Sequence, residues 1–158
     1  MTRKIAVMAF AAFMAAPAFA QMPNPYGLSI SVDNAKKIAA LSVAEANKNG
    51  WKMAVAIVDV AGDLVYFEKM DGTQVASVNI AQDKARSSVR FKRPTKAMQD
   101  ILAAGGAGVR FLALQGAVPV EGGLPLLMDG KIVGAIGASG GTSEQDGQAA
   151  KAGADSVK

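Results

Sequence analysis

The chain has 158 residues, with 17 lysines and arginines against 13 acidic residues, and it contains neither histidine nor cysteine. A formal charge of +4 is too small for a general nucleic-acid or membrane-surface binder, so no nucleic-acid partner is expected. Without imidazole or thiolate the usual zinc ligands and the usual catalytic base are missing, and no disulfide contributes to stability.

In chain order, Arg3 and Lys4 form a basic start, Ile5 to Ala16 is apolar, and Ala18-Phe19-Ala20 is a small-x-small cleavage site. Residues 1–20 therefore read as a secretory signal peptide, its apolar run shorter than the ~20 residues a spanning helix needs. No later stretch is long and apolar enough to cross a membrane. The expectation is a periplasmic or secreted protein with no membrane insertion after cleavage. Residues 21–28 hold Pro23, Pro25 and Gly27 and read as an irregular, mobile leader. A single domain then covers 29–158.

Ser31 is placed to N-cap a helix running to about Asn49, with Gly50 as its stop and Ala35, Ile38, Ala39, Ser42 and Ala46 on its buried face. Lys52 to Asp59 and Leu64 to Met70 read as two strands of a hairpin, the first apolar on both faces and therefore central. Asp71-Gly72 turns the chain into a second helix over Val75 to Val89, with Val78, Ala81, Ala85 and Ser88 as its buried stripe. Thr95, after Pro94, is expected to N-cap a short helix to about Ala104. Gly105 to Gly108 reads as a flexible joint, and Val109 to Val120 as either strand or loop. Asp129-Gly130 then links Leu124–Met128 to Lys131–Ser139 as a hairpin bounded by glycine pairs, with Ile132 and Ile136 on one face and Val133 and Ala135 on the other. A last helix from Ser143 to about Val157 has Glu144 and Asp146 in its first turn, where the helix dipole favours acids. Hairpins outnumber βαβ units, so the fold class is α/β of the α+β type, a central antiparallel sheet flanked by helices.

Two motifs invite chemistry. Gly137-Ala138-Ser139-Gly140-Gly141 matches the G-x-S-x-G nucleophile elbow, yet a serine nucleophile needs a base and the chain has no histidine. Ser139 is more simply a cap or a hydroxyl for a ligand. The cluster Lys84, Arg86, Arg90, Lys92, Arg93 and Lys96 could hold carboxylates or phosphates, or be a solvated helix face. Arg86 and Arg90 share a face with Asn79 and Asp83, which leaves Lys84 as the better ligand candidate.

The motifs VAIVDVAGDLVYFEKMDG (55–72), IAQDKARSSVRFKRPTKAM (80–98) and GGLPLLMDGKIVGAIGASGGTSEQD (122–146), in this order and spacing, resemble the GlcG/HbpS-like heme-binding family, also seen as the C-terminal domain of PduO-type cobalamin adenosyltransferases. The resemblance covers roughly Leu28 to Val157. It implies a profilin-like plan, a heme or related tetrapyrrole ligand, and a homo-oligomer. Where family members hold heme iron through histidine this chain has no counterpart, leaving either Tyr66, Met70 or a lysine for the iron, or apolar contact with Lys84 and arginines meeting the propionates. The pocket is expected between the turn at Met70, Asp71 and Gly72, the pair Gly122-Gly123, and Ser139-Gly140-Gly141, with Lys84 beside them.

Three functions stay open on this reading. One is an exported binder of heme or a related tetrapyrrole, serving sequestration or sensing. Another is a small enzyme, degrading heme or acting on an anionic metabolite by proton transfer through Lys84 or a carboxylate. The last is an oligomeric structural or interaction module.

Overall fold

A computed structural model describes residues 23–157, so the signal-peptide expectation for 1–20 lies outside the described residues. The elements are α1 (Val32–Lys48), β1 (Ala54–Val58), β2 (Leu64–Lys69), α2 (Ser77–Phe91), α3 (Thr95–Ala103), a 3-10 helix (Gly106–Ala113), β3 (Gly123–Met128), β4 (Lys131–Ser139) and α4 (Ser143–Ala154). The strands form one antiparallel sheet in the order β2-β1-β4-β3. Five helices and an antiparallel sheet make this the expected α+β fold.

The central place of β1 follows from its composition. All five of its residues are buried, and alternation sends Met53, Val55 and Ile57 one way and Ala54, Ala56 and Val58 the other. On the first side they join Ala35, Ile38, Ala39 and Ala46 of α1 and Ala149 and Ala150 of α4. On the second, Val58 meets Ala85 and Val89 of α2, while Ala54 and Ala56 meet Ala81. The sheet is thus sandwiched between α1 with α4 and α2. Small residues dominate both faces, so the helices lie close to the sheet backbone.

Glycine in β4 allows this approach. A Cβ at Gly137 would fall against the Ala81 carbonyl oxygen and the Ala85 nitrogen of α2. A Cβ at Gly134 would fall against the Val58 carbonyl oxygen. At the hairpin tip Asp129 (φ 49°) and Gly130 (φ 70°) adopt the left-handed pair that a two-residue turn requires.

Four expectations are corrected. The faces of β4 are not those of simple alternation, because a bulge at Val133 shifts the register between Leu126↔Gly134 and Leu127↔Ile132. One extra residue on β4 reverses the facing beyond it, placing Ile132 with Ala135 and Val133 with Ile136 and Ala138. Thr95 does not cap α3; Pro94 occupies the N-cap position without a side-chain bond, and the Thr95 hydroxyl is drawn instead to β3. The stretch left open between strand and loop begins as a 3-10 helix. Of the glycines read as a joint, Gly108 is built into the structure, a Cβ there falling against the Ile101 carbonyl, whereas Gly105 and Gly106 face open space at positive φ.

The fourth concerns the leader, which is irregular but tied down. Tyr26 bridges to Ile132, Ile132 N–H donates to Pro25 O (2.8 Å), and Gly27 N–H donates to Ile132 O (2.8 Å). These bonds occupy the side of β4 that β1 leaves free beyond Ala135. The Tyr26 hydroxyl donates to Val89 O (2.8 Å), and Lys92 Nζ sits 4.2 Å from its ring centroid.

Candidate functional site

Lys84 projects from the middle of α2 toward the ends of β3 and β4. Its side chain is 2% exposed, and its ammonium donates to Asp146 Oδ2 at 2.7 Å and to Ala138 O at 3.3 Å. Asp146 stands in the first turn of α4, whose start is set by a capping box between Thr142 and Gln145. Its other oxygen accepts from Gly141 N–H at 2.9 Å. Burial pushes the Asp146 carboxyl above its ordinary range, while the Lys84 ammonium and the N–H groups of Gly141 and Gly140 pull it down.

The glycines surround this pair. A Cβ at Gly122 (φ 129°) would lie 2.7 Å from Ala138 O and 2.9 Å from Lys84 Nζ. A Cβ at Gly123 would fall against the Lys84 carbonyl oxygen, and Gly123 N–H donates to the Thr95 hydroxyl at 2.9 Å. Gly140 lies against the Lys52 carbonyl. Ser139 is 3% exposed, and its hydroxyl donates to the Ser77 hydroxyl at 3.1 Å. A second serine is no base, and the nearest lysine described above is already held by a carboxylate. Among the described residues the Ser139 hydroxyl bonds no base that would take its proton.

Six of the eight sequence-derived site residues thus lie together: Gly122, Gly123, Gly140 and Gly141 pack around the ion pair that Lys84 forms, and Ser139, next in the chain to Gly140, bonds Ser77. What approaches these glycine backbones is the protein's own main chain and side chains. Met70 lies further along, at the end of β2, where its sulfur accepts from Met53 N–H at 3.4 Å. Asp71 is exposed in the turn beyond it. Two buried hydroxyls, Thr73 Oγ1 in the same turn and Ser42 Oγ on α1, lack a partner among the described residues.

Asp146 and Thr95 are the members that residue spacing had assigned elsewhere. A signal for Asp146 was present, since it shares a stripe with Ala149, Ala150 and Gly153, all buried at helical spacing. The basic cluster disperses. Arg86 bonds Gly62 O, Asp83 and Gln82, Lys96 pairs with Asp100, and Lys92 covers Tyr26.

Two of the iron-donor candidates, Tyr66 and Met70, are engaged as well. Tyr66 donates to Glu68 Oε2 at 3.1 Å, and burial together with that carboxylate raises its phenol above the ordinary value, opposing the phenolate that would bind iron.

Open space lies elsewhere. A cleft of about 690 Å³ runs along β3 and the C-terminal end of α4, lined by Pro94, Leu124, Pro125, Leu127, Ile132 and Val157, with Lys92 and Lys151 among its polar residues. Smaller clefts of about 390 and 270 Å³ flank α1 and Met128.

A model of the family described as "Haem degrading protein HbpS-like" matches residues 30–155. Protein GlcG of Escherichia coli K12 is 36% identical over 110 residues, spanning 70% of this chain and 81% of GlcG. Among solved structures, a double mutant of Streptomyces reticuli HbpS superposes with a TM-score of 0.77 at 25% identity over 99% of each chain. A PduOC:heme complex gives a TM-score of 0.74 at 25% identity, covering 83% of this chain and 96% of PduOC.

Proposed function

The chain belongs to the HbpS-like family, and from that premise we propose that it is an exported protein binding heme or a related tetrapyrrole for sequestration or sensing. The observation that carries this reading is the likeness to PduOC, a relative solved with heme, across most of both chains. Export rests on the basic start, apolar run and small-x-small site of residues 1–20. Self-association is part of the proposal, supported by the apolar residues that the 3-10 segment leaves to solvent, including Val109 (50% exposed) and Leu112 (69% exposed).

Of the donors named for a coordinated iron, the residues present leave only a lysine, which has no lone pair to give while its amine is protonated. The chain has no histidine or cysteine, and Tyr66 and Met70 are committed to internal bonds. Lys84 is equally ill-suited to proton transfer on a substrate, being shut away at 2% exposure.

Titration of the purified mature protein with hemin tests the reading. A saturable change in the Soret band at micromolar concentration is expected; a linear, non-saturating response would sink it.

A further inference from the structure

We propose that the cleft along the free edge of β3 is a site for the tetrapyrrole macrocycle itself, gripped by its faces and its carboxylates and not through its iron. The inference rests on the heme reading above and gives it a place and a mode. Its volume of about 690 Å³ lies within the ~300–1,000 Å³ of small-molecule and cofactor sites. Leu124, Pro125, Leu127, Ile132, Pro94 and Val157 supply an apolar lining. Those side chains suit a flat hydrocarbon ring, and none of them can ligate a metal.

The polar residues match the other half of the ligand. Lys92 ends α2 in the left-handed conformation (φ 53°), and its ammonium is steadied over the Tyr26 ring. That contact engages the charge but leaves the N–H donors free for a carboxylate. Lys151 pairs with Asp155, four residues on and itself on the cleft wall, and both side chains are about two-thirds exposed (66% and 63%). A surface pair of this kind is weak and readily exchanged for an incoming anion. Two ammonium groups against the single carboxylate of Asp155 leave the rim of the apolar slot net positive, which complements a planar ring that carries two propionates. The Tyr26 hydroxyl, the nearest phenol, is spent on Val89 O.

Recognition of this kind predicts indifference to the metal. Hemin and iron-free protoporphyrin IX, each titrated by quenching of Trp51 fluorescence, should bind the mature protein with affinities within about threefold of one another. The double variant Lys92→Glu/Lys151→Glu should weaken both by about tenfold or more, and Leu127→Asp should act in the same direction. Lys36→Glu, an exposed lysine on α1 outside this cleft, should change neither, and circular dichroism should show every variant folded.

Hemin binding tenfold or more tighter than the iron-free ring would overturn the proposal by showing an iron donor. Rim variants that bind like the parent would overturn the location while leaving the heme reading intact. Failure of both porphyrins to bind the parent protein would end both. If the variants lower self-association but not porphyrin affinity, a second copy of the chain covers this cleft and the proposal falls.

Discussion

Lys84 and Asp146 are 62 positions apart, and no rule of local spacing connects them. Once buried together they become one unit, because either charge alone would face a nearly dry interior. Breaking a buried pair from one side costs about 3–5 kcal/mol, whereas replacing both partners by apolar groups of similar volume is often close to neutral. Lys84→Met and Asp146→Leu should each lower urea-unfolding stability by about that amount. The double variant should lose much less than the sum, retaining a deficit from the Gly141 N–H that Asp146 also accepts. Strictly additive losses would show that the two side chains do not act together. The pair joins α2, the end of β4 and the start of α4, and so locks the glycine-rich loops in place.

Among elements, the contact of α2 with β4 is where small residues matter most. Alanine fits many strand positions, but at Gly137 its methyl would be driven into the backbone of α2 at Ala81 and Ala85. Backbone cannot rotate away as a side-chain tip can. Gly137→Ala is therefore expected to cost about 1–3 kcal/mol, read as a lower urea midpoint at unchanged slope. Gly130→Ala, with nothing within 4 Å of its Cβ, carries only the strain of its positive φ and should cost less. An equal loss at both positions would mean that close packing is not what Gly137 serves. The leader belongs to the same scale. By bonding to Ile132, with Ile30 just after it bonding to Val133, it extends the ladder on β4 where β1 stops short.

At the scale of the molecule, the sandwich leaves two kinds of surface unfinished. The edge cleft beside β3 has charge as well as apolar area and suits a small amphiphile. The face around Val109 and Leu112 on the 3-10 segment is largely apolar, with the exposed Arg110 as its charged member, and it is the surface expected to meet another copy of the chain. Leu112→Asp should shift the sedimentation coefficient of the protein toward that of the monomer while leaving its circular dichroism spectrum unchanged. Parent protein that already sediments as a monomer would remove this role for the face.

Element type and order were largely legible from residues alone, because each rests on local chemistry. Ser31 and Gly50 bracket α1, Asp129-Gly130 demands a tight turn, and an apolar run on both faces makes β1 central. What residues could not show was every feature that depends on one element meeting another. The bulge at Val133 arises from strand pairing and reverses the facing of β4. Thr95 leaves its cap for Gly123 because β3 lies within reach. The glycines at 122–123 and 140–141 were visible as places of close approach, but only the packed structure decided what approaches. Asp146, Ala138 and Lys52 come from distant parts of the chain, and burial, a property of the whole fold, turns Lys84 from a ligand-binding candidate into half of an internal ion pair.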